Sequence, residues 1–189
     1  MRNMHTEMTI FEVILARRSV RNFTSQAVGL DIIRILLEAA VHAPTVLHDE
    51  PWSFAIIRDK QQLKDISDSA KPMFIHELGK AGHATDHVTK PDFNIFHNAN
   101  TLILICSEQT GPFIVANCWL AAENLMLAAC AMKLGSCVIG AALTALNRSE
   151  IKHKLNIPDK FSVIVPIIVG YPDGDTPPSP RRKPFILTC

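Results

Sequence analysis

The chain has 189 residues, 48% of them hydrophobic, and its 19 basic and 18 acidic residues leave a formal net charge of +1. This length suits one domain, or one domain with an excursion, and the apolar content is ample for a core. The near balance of charge argues against a nucleic-acid binder, because contacts to phosphates require an excess of basic residues.

The first third of the sequence predicts two helices followed by a strand. Thr9 and Glu12 have the spacing of a capping box, which predicts a helix over residues 9–17. Apolar residues at helical spacing predict a second helix over 30–42, which stops before an Ala-Pro pair because the residue before proline disfavours helix. The apolar run that follows predicts a strand over 52–58.

The middle of the sequence predicts a short helix over 60–69 and a fully buried strand over 101–107. The segment between them, 70–100, is the least regular part, and we expect it to form a lid or an excursion. The apolar run over 113–134 predicts a buried helix rather than a membrane span, because polar residues interrupt it. Gly135 is expected to close this helix as its C′ residue.

The last third predicts a short strand over 136–139, a helix that begins at Asn147 and a strand over 162–169. Pro166 should force that strand into an edge position or a bulge, because proline cannot donate to a ladder. Residues 173–184 are rich in proline and charge, which indicates an extended surface arm. The elements together fit an α+β fold or a three-layer α/β fold, with more helix than strand.

Sequence patterns of common nucleotide-binding sites are missing. No Gly-x-Gly-x-x-Gly follows a strand and no P-loop pattern occurs, so the ordinary dinucleotide and P-loop interpretations are unsupported. The five cysteines form no Cys-x-x-Cys pair, and four of them lie in apolar surroundings, where free Cys behaves as a small hydrophobe. With no signal-peptide core at the N-terminus, these features predict a protein of the reducing cytoplasm, with no membrane partner.

Three guanidinium groups and a hydroxyl follow the first predicted helix. We call residues 17–21, which contain Arg17, Arg18, Ser19 and Arg21, the arginine segment. Guanidinium binds phosphate or carboxylate in a bidentate way, and such density in a nearly neutral chain indicates an anion pocket. The alternative is a solvated basic helix end, where arginine complements the C-terminal dipole.

Two prolines, Pro44 and Pro51, frame the loop between the second helix and the first strand. This proline-framed loop is limited to few conformations and presents Thr45, His48 and Glu50 as fixed polar groups. The alternative is a connecting loop that needs turn residues only.

Two further patterns lie towards the C-terminus. Gly135 and Gly140 bracket an apolar strand, the glycine-bracketed strand, where a flat ligand could approach the backbone closely. A helix-cap glycine followed by a turn glycine explains the same residues. Arg181, Arg182 and Lys183 form a basic arm after the last strand, and the alternative for them is a solvated charge run.

Metal and nucleophile chemistry are weakly supported. His83 and His87 have the i,i+4 spacing of two ligands on one helix face, but a zinc site needs three or four converging ligands, so no metal is predicted. Cys118 and Cys137 have no nearby base or positive environment in the sequence, so neither is predicted to be a nucleophile.

The four patterns occur in one order that resembles the nitroreductase family of flavin enzymes. The arginine segment comes first, then the loop over 43–52, then the run over 122–140, and finally VGYP and PRRKP near the end. The resemblance covers residues 9 to 185. It implies one FMN-binding domain over 1–189, with a central, mostly antiparallel sheet flanked by helices, in an intertwined homodimer with FMN at the subunit interface.

The resemblance also implies which residues meet FMN. The arginine segment would hold the phosphate and the pyrimidine edge, and the proline-framed loop would meet the flavin from either subunit. The backbone of the glycine-bracketed strand would lie against the ring near N5, and the basic arm would approach the phosphate. The implied cofactor-binding residues are Arg17, Arg18, Ser19, Arg21, Pro44, Thr45, His48, Val138, Ile139, Gly140, Arg181 and Arg182.

The activity implied is that of an oxidoreductase. NAD(P)H would reduce FMN, and a nitroaromatic, quinone or related small acceptor would reoxidise it by a ping-pong mechanism. Flavin N5 carries the hydride, so no catalytic side chain is predicted. His48 and Glu50 stand where the family usually has Asn and Gln. They favour an alternative, a flavin-binding module with little turnover that serves sensing, storage or flavin remodelling.

Overall fold

Four antiparallel strands form the central sheet, in the order β1, β2, β4, β3. The computed structural model describes residues 8–46 and 49–188. The strands are β1 (Ser53–Ile57), β2 (Thr101–Ser107), β3 (Gly135–Val138) and β4 (Ser162–Gly170). The helices are α1 (Ile10–Ala16), α2 (Leu30–Val41), α3 (Lys60–Lys80), α4 (Pro112–Ala131), α5 (Leu143–Leu146) and α6 (Ser149–Lys154), with a 3₁₀ turn, Gly140–Ala142, before α5.

Helices cover both faces of the sheet. Along β2, Leu102 and Leu104 pack into the core formed with α3, α5 and α6, whereas Ile103 and Ile105 pack into the core formed with α2 and α4. Because successive strand residues point to opposite faces, a strand covered on both sides must be apolar throughout. The predicted α+β fold, an antiparallel sheet flanked by helices, is confirmed.

The elements with strong local signals lie where the sequence predicts them. The Thr9 side chain accepts a hydrogen bond from the Glu12 N–H at 3.3 Å, and the Glu12 carboxylate accepts one from the Thr9 N–H at 2.6 Å. This capping box starts α1 as expected. By length and composition, α4 alone among the described helices could cross a membrane, but it packs against α2 and the sheet.

The prediction for α3 is wrong at its C-terminal end. The helix continues to Lys80 and contains Pro72, so the first part of the segment expected to be irregular is helical. A proline in a helix removes one backbone hydrogen bond and clashes with the preceding turn. Burial of Leu63, Ile66 and Ala70 against the sheet stabilises α3 on the N-terminal side of Pro72.

Gly135 is not the cap of α4. The helix ends at Ala131, and Lys133 takes the left-handed conformation, with φ of 61°, while the Leu134 N–H donates to the Ala129 carbonyl at 2.8 Å. Gly135 instead opens β3, where an added Cβ would lie 2.7 Å from the Val20 Cβ. Glycine is therefore required here by close approach of a second segment, and not by backbone conformation.

Pro166 lies in an interior strand, so the predicted edge position is wrong. The alternative, a bulge, is present: Ile105 pairs with Val165 and Cys106 with Val163, which leaves Ile164 as the extra residue. The Pro166 carbonyl accepts from the Ile139 N–H at 2.9 Å, just beyond the end of β3. The missing N–H of Pro166 therefore faces the end of the shorter strand, where fewer ladder bonds are lost.

The predicted helix start at Asn147 is two residues early. The Asn147 side chain instead joins β4: its Oδ1 accepts from the Val163 N–H at 2.9 Å and its Nδ2 donates to the Val163 carbonyl at 2.9 Å. An asparagine can cap a helix or replace a missing strand partner, and here the strand contact prevails. Residues 175–188 form an exposed arm, as expected.

We predict that Gly135→Ala lowers the free energy of unfolding by about 1–3 kcal/mol, the usual cost of overpacking. The new methyl group would meet Val20, whose Cβ cannot move without its backbone. Urea denaturation followed by circular dichroism measures the change. Gly79→Ala is the control, because Gly79 lies in helix α3 and a Cβ at this position would meet nothing within 4 Å. Equal stability of both variants would contradict the close contact.

Candidate functional site

The arginine segment lies along β3, the edge strand of the sheet. Ser19 forms a parallel bridge with Ser136, and the Val20 N–H donates to the Ser136 carbonyl at 3.0 Å. Val20 is buried against Gly135. Alternation along the extended chain thus buries Val20 and leaves Ser19 and Arg21 exposed. Two patterns that are far apart in the sequence, the arginine segment and the glycine-bracketed strand, become neighbours.

The same segment continues along the chain that leaves β4. The Thr24 N–H donates to the Tyr171 carbonyl at 2.9 Å, and the Asp173 N–H donates to the Asn22 carbonyl at 3.0 Å. The Asn22 side chain returns a bond to the Asp173 carbonyl at 2.7 Å. These contacts fix the backbone on both sides of Arg21, so its position depends on the sheet and not on a free loop.

The three guanidinium groups have different surroundings. Arg18 donates to the carbonyls of Leu15 at 2.6 Å and Arg17 at 2.9 Å. These bonds fit the alternative interpretation, in which an arginine at the C-terminal end of a helix complements the helix dipole. Arg17 pairs with Glu123 of α4 at 3.5 Å. Arg21 is exposed and makes only a long 3.4 Å bond to the Ser19 carbonyl among the described contacts. Arg21 therefore retains most of its donors for a ligand.

A cavity lies on each side of the arginine segment. The Lys133 cavity, of about 240 Å³, is lined by Arg17, Arg18, Lys133, Ser136 and Asp175 among others. No pattern in the sequence singles out Lys133, because its place beside the arginines depends on how the turn after α4 folds. Three cations around one small cavity favour an anion.

The second cavity, which we call the His97 cavity, has a volume of about 260 Å³. Arg21, His87, Lys90, Asp92 and His97 contribute its titratable side chains. His97 and Lys90 belong to the irregular segment before β2, which the sequence could place only approximately. Arg21 lines this cavity, whereas Arg17 and Arg18 line the Lys133 cavity, so the arginine segment contributes to both. We call the arginine segment with the two cavities the basic region.

The charge of Arg21 acts on a half-buried histidine and on a buried cysteine. Burial lowers the pKa of His97, and the positive charge of Arg21 lowers it further. Burial raises the pKa of the Cys137 thiol, and the charges of Arg21 and Arg17 act in the opposite direction. Burial also raises the pKa of Cys106 to about 12 and that of Cys118 to about 11, so these thiols are poor nucleophiles.

The glycine-bracketed strand presents a fixed backbone beside this region. Val138 pairs with Ile167, and Ile139 is buried with its N–H bonded to Pro166. Gly140 is exposed at the start of the 3₁₀ turn, and a Cβ added there would meet nothing within 4 Å. The space beside Gly140 is therefore open to a ligand.

Within the described residues, no hydrogen bond or β-bridge joins the proline-framed loop or Arg181 and Arg182 to the arginine segment. Pro44 is exposed and Thr45 half-buried. His48 lies outside the described residues. Arg181 and Arg182 are exposed on the C-terminal arm.

The histidine spacing does not produce a metal site. His83 and His87 follow the end of α3 in irregular backbone, so the i,i+4 spacing does not put them on one helix face. Within residues 8–46 and 49–188, no group of three or more His, Cys, Asp or Glu side chains is arranged to hold a metal ion.

Comparison with known proteins identifies relatives of the whole chain. The model of the Nitroreductase family matches residues 14–171. An iodotyrosine deiodinase of Thermotoga neapolitana is 26% identical over 184 residues, which cover 94% of this chain and 96% of the relative. An FMN reductase (NADPH) of Bacillus subtilis is 28% identical over 186 residues, which cover 92% of this chain and 71% of the relative.

The fold has close counterparts among solved structures. A nitroreductase with bound FMN from Bacteroides fragilis superimposes with a TM-score of 0.83 and 25% identity, over 96% of this chain and 98% of the other. The match to the family model runs from within α1 to just past the end of β4. The chain therefore belongs to the nitroreductase family.

Proposed function

We propose that the chain is a single FMN-binding domain that works as an FMN-dependent oxidoreductase. NAD(P)H would reduce the flavin, and a nitroaromatic, quinone or related small acceptor would reoxidise it by a ping-pong mechanism. The observation that carries the proposal is the arginine segment along β3, with a basic cavity on each side. Relatives that bind FMN or reduce it support the proposal.

The basic region fits the phosphate of FMN. A phosphate monoester carries up to about two negative charges at neutral pH, and each hydrogen bond to a charged group contributes about 1.5–3 kcal/mol. Arg17, Arg18 and Lys133 line one small cavity with Ser136, and the exposed residue Ser19 forms a bridge with Ser136. Arg21, with its free donors, suits the pyrimidine edge of the ring.

The flavin ring would lie against the backbone of Val138, Ile139 and Gly140. When bound, FMN supplies the hydride chemistry at N5, and the chain needs no nucleophile of its own. The role of the protein is then to orient the ring and to leave one face open. The open space beside Gly140 and the fixed Ile139 N–H support this arrangement.

A homodimer would complete the site. Large apolar side chains are exposed on α1 and α4: Phe11 by 75%, Leu15 by 74%, Phe113 by 63% and Trp119 by 46%. Contiguous exposed apolar surface marks an interaction site, and a second copy of the chain is the partner that the fold family implies. In the dimer, the proline-framed loop or the basic arm of one subunit could reach the arginine segment of the other, with FMN between them.

The proposed cellular location is the cytoplasm. Cys106, Cys118 and Cys137 are buried free thiols, and Cys130 is a half-buried one. Unpaired cysteines inside a core suit a reducing compartment. The balanced charge of the chain supports small-molecule ligands over nucleic acid.

A flavin-binding module with little turnover is the second candidate. Glu50 is exposed in the proline-framed loop with φ of 41°, and an ionised carboxylate near the flavin would oppose the negative charge gained on reduction. Anaerobic mixing with NADH or NADPH separates the two functions. Rapid bleaching of the flavin supports the oxidoreductase, and an oxidised spectrum that persists supports the module.

We predict that the purified protein is yellow and carries one FMN per chain. The absorption bands of oxidised flavin and the FMN released on denaturation give the stoichiometry. Size-exclusion chromatography with light scattering should give twice the mass of the chain, 20.9 kDa. Colourless protein that takes up no added FMN would rule out both candidate functions.

We predict that Arg21→Ala weakens FMN binding by about 10- to 100-fold, because a charge-assisted contact contributes about 1.5–3 kcal/mol. The melting temperature of the apo protein should change little, since Arg21 is exposed and bonded only to Ser19 among the described contacts. Fluorescence titration of FMN and thermal denaturation measure the two quantities.

Arg34→Ala is the matched control, since Arg34 is an exposed arginine on α2. It should leave both quantities unchanged. If Arg21→Ala instead unfolds the apo protein, the arginine segment has a structural role and the anion interpretation fails.

A further inference from the structure

His97 is held in a defined turn. Its N–H donates to the Asn94 carbonyl at 2.9 Å, and the Asn94 side chain accepts from the Phe96 N–H at 2.8 Å. His97 and Asn98 are both left-handed, with φ of 51° and 57°. This conformation is uncommon outside glycine, and histidine and asparagine adopt it more readily than most residues. The turn fixes where the His97 ring enters the cavity.

The His97 ring is packed on one side and faces charge on the other. It meets Phe93 edge-to-face, with ring centroids 6.2 Å apart, and His87 meets the same Phe93 at 6.2 Å. His97 is half-buried, whereas His87 is exposed. The charged groups that share its cavity are Arg21 from the arginine segment and Lys90 and Asp92 from its own loop.

We propose that His97 takes up a proton from solvent when the flavin is reduced and releases it when the acceptor is reduced. This inference rests on the proposed function, because it needs FMN bound beside Arg21. His97 acts through the charge around Arg21 and is a positioning residue, with no contact to substrate assigned to it.

The charge that hydride transfer adds to the flavin explains why His97 would bind a proton. A hydride brings two electrons and one proton, so the flavin that accepts it gains one negative charge. If the flavin lies beside the guanidinium of Arg21, this negative charge offsets the positive field that Arg21 exerts on His97. With that field reduced, the pKa of His97, which burial and Arg21 hold low in the apo protein, rises and the ring binds one proton.

The second half-reaction returns the proton. Reduction of a nitro group to a nitroso group consumes two electrons and two protons and releases water. The hydride supplies two electrons and one proton, and the acceptor takes the other proton from solvent. The imidazolium of His97 releases one proton to solvent in the same half-reaction, so the protons of the whole cycle balance. Among the side chains that line this cavity, a histidine is the type suited to gain and lose a proton in this way.

The test is the midpoint potential of the bound FMN as a function of pH. In a two-electron couple, a tenfold change in the equilibrium constant shifts the midpoint potential by 29.6 mV. If one proton is bound per two electrons, the midpoint potential therefore changes by 29.6 mV per pH unit, and if two protons are bound, it changes by twice that amount. We expect the steeper slope in the wild type across a window on the acid side of the ordinary histidine pKa, because burial still lowers the pKa of His97 when the field of Arg21 is offset. In His97→Asn we expect the 29.6 mV slope throughout that window. Asparagine tolerates the left-handed backbone, so the turn should persist.

His87→Gln is the matched control, because it removes the other histidine that packs on Phe93 and lines the same cavity. It should keep the wild-type slope. Equal slopes in His97→Asn and wild type, with FMN bound in both, overturn this inference and leave the proposed function intact. A wild-type chain that takes up no FMN overturns the proposed function and this inference together.

A measurement on the apo protein tests the coupling without FMN. Nuclear magnetic resonance titration of the His97 ring should show a higher pKa in Arg21→Gln than in wild type, because the substitution removes the nearby positive charge. An unchanged pKa of His97 overturns the inference even if His97→Asn fails to fold.

Discussion

The contact between the arginine segment and β3 is the constraint on which the candidate site depends. Val20 is buried against Gly135, and its N–H bonds to Ser136, so the residues on either side of Val20 must point outwards. Only glycine at position 135 permits this approach. The packing of Val20 on Gly135 and one backbone hydrogen bond thereby fix the direction of two polar side chains, Ser19 and Arg21.

This arrangement separates the arginines by role. Arg18 satisfies carbonyl groups at the end of α1, and Arg17 pairs with Glu123, while Arg21 keeps its donors for a ligand. The helix-end interpretation of the sequence fits the bonds of Arg18. The anion-pocket interpretation stays a prediction, and it rests on Arg21 and on the Lys133 cavity that Arg17 and Arg18 line. Because the backbone around Arg21 is bonded to Asp173, ordering the guanidinium on a ligand costs side-chain entropy but little backbone entropy.

Local signals in the sequence predicted the local structure well. The Thr9–Glu12 capping box and the continuous apolar run of β2 need no distant partner to be recognised. The wrong predictions concern places where tertiary contacts determine the structure. Met73 and Phe74 pack against the core just after Pro72 of α3, and the side chain of Asn147 bonds to β4. The arginine segment was visible because its charges are adjacent in the sequence. Lys133 and His97 join the same region only through the folding of irregular backbone, which no periodic pattern encodes.

The central claim is that β3 and the arginine segment together form a phosphate site for FMN. The most direct measurement compares the dissociation constants of FMN and riboflavin for the apo protein by fluorescence titration at fixed ionic strength. The two ligands differ in the phosphate alone. Two charge-assisted contacts at about 1.5–3 kcal/mol each predict that riboflavin binds at least about 100-fold more weakly. Equal dissociation constants would contradict the assignment of the basic region to the phosphate.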